Sequence, residues 1–191
     1  MIHKMRFIIL CVGLFSVLSC KSQSNVDNLV FPKNIILPKE FSNQIKELRE
    51  EFYRVFQKDT TKLKSYSKRI IFSNLDTKKD YLHTLEAEYW IAFNYQVGIP
   101  ELIKRITNDK EIGLKNYMDL IIMERVENGD MTIDGHGKII LDDLFKISGR
   151  ANYLLKDITG QNFGDVKMKS TEEELRELQK KWIEWLKDLD D

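Results

Sequence analysis

From residue 40 onward, apolar side chains recur every three or four residues, and this spacing commits most of the chain to amphipathic helices packed on one another. Phe41, Ile45, Leu48, Phe52 and Phe56 step by four, three, four and four residues. They form one face of a helix over 39–57, opposite Lys46, Glu47, Arg49, Glu50 and Arg54. Leu63, Tyr66 and Ile70 predict a second helix ending near Ser73-Asn74. Asp76 suits the N-cap of a third, since its carboxylate can accept from the first free amides. Tyr81, Leu82, Leu85, Tyr89, Trp90, Ala92 and Phe93 give that helix an apolar face broad enough for a central position.

Gly98 fits the C′ position ending that helix and Pro100 the first turn of the next, which carries Leu102, Ile103 and Ile106. A fifth helix is expected over 110–127 from Leu114, Tyr117, Met118, Ile121 and Ile122, stopped by Asn128-Gly129. The pattern then breaks. Asp130 to Ile133 and Lys138 to Leu141 flank a glycine-rich Asp134-Gly135-His136-Gly137, which predicts a short β-hairpin over 130–141. Helical spacing resumes over 148–159, with Ile147, Ala151, Leu154, Leu155 and Ile158, and stops at Gly160. Ser170-Thr171-Glu172-Glu173 reads as a capping box opening a last helix that buries Leu175, Leu178, Trp182, Trp185, Leu186 and Leu189. The expected fold is mostly α, a single helical domain over 39–191 with one hairpin insertion.

The chain carries 30 basic and 30 acidic residues among 191. That balance argues against a general nucleic-acid binder, which shows a basic excess. Two cysteines are too few for a disulfide framework or a cysteine-rich zinc module.

The first twenty residues are an address. His3, Lys4 and Arg6 are followed by Phe7 to Leu18, twelve residues that are apolar apart from Gly13 and Ser16. This run is short of the roughly 20 residues a spanning helix needs and fits a secretory signal. It ends in Val17-Leu18-Ser19-Cys20, which resembles the lipobox of bacterial lipoproteins. The resemblance implies cleavage of 1–19 and lipid attachment at Cys20, and several acyl chains together anchor stably. The mature chain is then 172 residues with 28 basic and 30 acidic side chains, and its free thiols are gone. Residues 20–38 read as a polar tether and then an extended lead-in punctuated by Pro32 and Pro38.

Two further stretches resemble helical-repeat proteins of the HEAT and armadillo type. One is Ile99 to Asp109, similar to the second helix of a HEAT unit and its turn; the other is Ser148 to Gly164, followed by the tryptophan-bearing helix of Trp182 and Trp185. The resemblance implies an irregular α-α superhelix and a binding or scaffolding role, and carries over no catalytic residue. No repeat of fixed length is present.

Candidate chemistry concentrates near the expected hairpin. Asp130, Thr132 and Asp134 before Gly135 match the first half of a calcium loop, but the twelfth position is Leu141 where a bidentate acid belongs. A turn using Asp and Gly for backbone reasons is the simpler reading. His136 stands without a second histidine at ligand spacing. Arg150, near a helix start, is a candidate anion contact or a partner for Asp142 or Asp143. Asp134, His136 and Arg150 are therefore weak binding candidates, and no metal or other cofactor is expected. The functional expectation is a lipid-anchored envelope protein, outer-membrane and facing the periplasm, whose helical domain binds a protein partner as scaffold, adaptor or immunity protein. The alternative is an envelope hydrolase or carbohydrate-binding accessory using an aromatic and acidic groove.

Overall fold

The computed structural model describes residues 29–55, 61–133 and 135–189. The signal, Cys20, Phe56 and Asp134 lie outside the described residues. Eight helices and one two-stranded sheet are described: α1 (Lys39–Val55), α2 (Thr61–Ser65), α3 (Lys68–Leu75), α4 (Tyr81–Phe93), α5 (Tyr95–Arg105), β1 (Leu120–Ile122), α6 (Met123–Glu127), β2 (Lys138–Ile140), α7 (Ile147–Thr159) and α8 (Glu172–Asp188). The helices run 17, 5, 8, 13, 11, 5, 13 and 17 residues, so no unit of fixed length recurs among them.

Helix α4 is central. It packs against α1, α2, α3, α5 and α7. Residues 86–92 of it are buried in an unbroken row, as expected of a helix surrounded by others. Helix α7 lies against α1, α4 and α5 and is buried along residues 147–155. Trp182 of α8 is fully buried and donates its indole N–H to Asn152 of α7 at 2.9 Å. Residues 29–38 run over α5: the Ile35 amide donates to Gln96 Oε1 at 2.6 Å, and Gln96 Nε2 returns a bond to Ile35 O at 2.7 Å.

Several local readings shift. The second helix is two, with α3 started by Ser67, whose hydroxyl accepts from the Ile70 amide at 3.3 Å. Asp76 ends α3 instead of starting α4, and its carboxylate grips Arg105 at 2.8 and 2.9 Å. Gly98 and Pro100 lie inside α5. Gly98 is there for close packing, since a Cβ would come within 2.5 Å of Ile91 Cγ2. The capping box at α8 is Thr171 with Glu174, one residue later than read.

The expected helix over 110–127 is mostly absent. Gly113 and Asn116 take positive φ, which breaks it, and the amides of Ile112 and Gly113 both donate to Phe145 O. The expected hairpin over 130–141 is also corrected. Strand β2 pairs in parallel with β1, in register Leu120↔Lys138 and Ile122↔Ile140. In the segment expected to pair with β2, Met131 alone turns inward, 4 % exposed, and accepts from the Ile122 amide through its sulfur, while Asp130, Thr132 and Ile133 stay exposed. Gly137 lets the backbone return beside Asp119 O, to which the Lys138 amide donates at 2.8 Å.

Arg150 holds the connections together. It is 1 % exposed. Its Nε donates to Leu144 O at 2.8 Å, Nη1 to Leu75 O at 2.8 Å and Thr77 O at 2.9 Å, and Nη2 to Gly113 O at 2.6 Å. These carbonyls include the end of α3, which has no helical partner of its own. Next to it, Gly149 admits the Asp143 carbonyl so closely that a Cβ would lie 2.0 Å from it.

Two substitutions test this joint. Arg150→Met strands four carbonyls and is expected to lower unfolding free energy by at least about 3 kcal/mol. Gly149→Ala is expected to cost about 1–3 kcal/mol or more by forcing backbone apart. Urea unfolding followed by tryptophan fluorescence measures both; values within about 0.5 kcal/mol of the parent would show that the joint is not rigid.

Candidate functional site

The cleft with the most unusual chemistry opens where α1, α4, α7 and β2 meet. Its volume is about 430 Å³. Helix α1 supplies Gln44, Glu47, Leu48 and Glu51; α4 supplies Tyr81, Leu85, Glu88 and Tyr89; α7 supplies Tyr153 and Asp157; β2 supplies Lys138. Helical spacing explains the grouping. Glu47 and Glu51 are one turn apart, Tyr81, Leu85, Glu88 and Tyr89 share a face, and Tyr153 and Asp157 are again one turn apart.

The polar groups touch. The Tyr81 and Tyr153 hydroxyls are 3.1 Å apart. Lys138 Nζ donates to the Tyr153 hydroxyl at 3.1 Å and lies 3.7 Å from Asp157 Oδ1. Gln44 Nε2 donates to the Asp157 carbonyl. Burial pushes the Tyr81 and Tyr89 phenols up to about 12 and raises Tyr153 further, so all three keep their protons.

Glu88 is the distinctive member. It is 4 % exposed. Burial, then a hydrogen bond with Asp157 and the Asp157 charge, hold its carboxyl well above the usual carboxylate range. The two acids meet at the floor of the cleft, and their proximity favours a protonated Glu88. Other buried ionised groups among the described residues are matched: Glu86 by Lys62 and His83, Arg125 by Asp143, Asp142 by Lys156, and Lys146 by Asp109. Arg150 spends its donors on carbonyls. Glu88 alone in this set faces another acid. Folding stability does not ask for that arrangement, and such groups concentrate at functional sites.

The residues expected from sequence fall elsewhere. His136 is exposed beside β2. Arg150 is buried away from solvent, with burial lowering its pKa to about 10, and it bonds neither Asp142 nor Asp143. Asp130, the first acid of the calcium-like run, accepts from Arg125 Nη1 and Asn128 Nδ2, both at 3.0 Å. Among the described residues no three His, Cys, Asp or Glu side chains are grouped to hold a metal ion. Trp182 packs edge-on against Phe163 and Trp185 inside the core. Sequence reasoning passed over Glu88, Tyr153 and Asp157. One signal was readable: Glu86 and Glu88 interrupt an apolar run from Tyr81 to Phe93, where an acid must find a partner or a purpose.

Searches against family models, curated proteins and solved structures find no significant match to this chain.

The raised pKa of Glu88 has a consequence for stability. A carboxyl whose folded pKa is raised contributes stability that is present at low pH and lost as pH rises through that folded pKa. Thermal unfolding by circular dichroism should therefore show the parent losing stability on the alkaline side of the normal glutamate range. Glu88→Gln should flatten that loss. A parallel pH dependence in parent and variant would place the proton elsewhere.

Proposed function

We propose that this chain is a lipid-anchored envelope protein whose helical domain binds a partner through the α1–α4–α7 cleft. Anchoring follows from the lipobox-like Val17 to Cys20 and the signal before it. An outer-membrane position facing the periplasm follows from the polar Lys21-Ser22 after the cysteine, where no aspartate stands. Among the described residues no helix is long and apolar enough to cross a membrane. The likeness of Ile99 to Asp109 and Ser148 to Gly164 to HEAT and armadillo arrays belongs to the same reading.

The observation that carries the binding role is Glu88, a buried acid at the base of an open cleft with a second acid as its neighbour. Partner recognition explains it better than glycoside hydrolysis. Carboxyls within hydrogen-bond reach are closer than the roughly 5–5.5 Å of a retaining glycosidase pair and closer still than an inverting one. A role as adaptor, scaffold or immunity protein is the class this favours.

Two measurements test the proposal. Mass spectrometry of the mature protein is expected to find Cys20 as the first residue, carrying lipid. Photo-crosslinkers placed at Glu47 and Leu85 in the native envelope are expected to capture one protein that a crosslinker at Glu177 on α8 does not. An unprocessed N-terminus would end the anchoring proposal, and capture from Glu177 alone would move the binding surface away from the cleft.

A further inference from the structure

Resting on the cleft as the binding surface, the charge it holds narrows the partner's chemistry. Glu47, Glu51, Glu88 and Asp157 line the cleft with Lys138 as its one lining cation, and Arg54 beside it pairs with Glu51 at 3.6 Å, so the cleft stays anionic with one proton bound. Its aromatic walls are Tyr81, Tyr89 and Tyr153, whose ring faces attract cations. The nearest cation is only partly committed to the acids: Lys138 bonds Tyr153, stands 3.7 Å from Asp157 and acts on Glu88 through its charge, and among the described residues no ion pair is made to Glu88. Glu88 is thus nine-tenths buried, aimed at the cleft, and met there by an acid instead of a donor side chain.

We propose that the Glu88–Asp157 pair receives the ammonium or guanidinium group of a lysine or arginine on an exposed basic segment of the partner protein. The incoming cation takes the place of the proton on Glu88. One carboxylic acid and one carboxylate become two carboxylates around the cation, and one proton leaves to solvent, so charge balances. The Tyr81 and Tyr153 hydroxyls stay protonated and hydrogen-bond at the rim of the seat. Glu47 and Glu51 on α1 draw the segment in, and Lys138 on β2 opposes it, which selects for a cation that reaches past it to the floor. Tyr89 on α4 completes the wall, and Arg54 bears on it from α1. Binding therefore strengthens as pH rises, by up to about tenfold per pH unit while the pair still carries its proton.

The test is calorimetry on the full lipidated chain in neutral detergent, at 0.15 M salt to screen diffuse surface attraction. The probe is an acetylated tetralysine peptide, with its fully side-chain-acetylated form as the neutral match. Titrations in two buffers of different ionisation heat count protons. The expected result is binding of tetralysine but not of the neutral peptide, with about one proton released per site. Glu88→Gln and Asp157→Asn, checked for parent-like circular dichroism, should weaken it by at least about tenfold, and Glu177→Gln should leave it unchanged. Equal binding by the two cleft variants overturns the proposal, as does binding without proton release, which needs no variant to observe. If tetralysine fails while crosslinkers at Glu47 and Leu85 still capture a protein, the cation seat is wrong and the cleft remains the binding surface. Capture only from Glu177 removes both.

Discussion

The guanidinium of Arg150 is the interaction on which the rest of the arrangement depends. It is a charge almost without solvent, compensated by four main-chain carbonyls and by no bonded carboxylate. Burial lowers its pKa to about 10, and the more distant Asp76 and Asp143 charges partly oppose this, so it stays charged at neutral pH. Its planar fork suits the task, because its N–H groups point to fixed places at once, which an ammonium cannot do. Those places are the end of α3, the turn after it, the loop at Gly113 and the turn before α7. Three of the fold's irregular connections are thereby tied to one helix.

That tie positions the cleft. Tyr153 and Asp157 follow Arg150 by three and seven residues on α7, which brings all three toward the same side of the helix. Where Arg150 fixes α7, Tyr153 meets Tyr81 of α4 and Lys138 of β2, and Asp157 meets Glu88. The neighbouring ion pairs work in the same direction. Asp143 holds Arg125 at 2.9 Å and the Phe145 amide at 3.1 Å, while Asn152 links Asp142 to Trp182. The domain thus spends most of its buried charge on joining loops to helices. Glu88 does not join anything of that kind, and the contrast is what marks it.

Much of the helical frame is legible in the chain. The spacing from Phe41 to Phe52 is that of α1, the run from Ile147 to Ile158 with Gly160 after it is α7, and Leu175 to Leu186 is the buried face of α8. These are local patterns, repeated every turn, and each helix buries its own stripe. Single residues with two uses were less legible. Gly98 carries the signature of a helix end and serves a close helix crossing; Asp76 carries that of an N-cap and serves Arg105. The site was less legible still, because Glu88 and Asp157 stand 69 residues apart and neither bears a motif.

By itself, then, the sequence determined the long helices α1, α7 and α8 and which of their faces turn inward, since those follow from intervals of three and four residues. It also carries the lipobox-like Val17 to Cys20, the basis of the proposed anchoring, which is read as a linear string. Only the tertiary structure decided that β2 pairs with β1 and not with its nearer neighbour, that Arg150 serves carbonyls and not an anion, and that two acids from α4 and α7 share one space. Each of those outcomes depends on contacts between distant segments, where the energy of a pairing is set by what else must be buried at the same time.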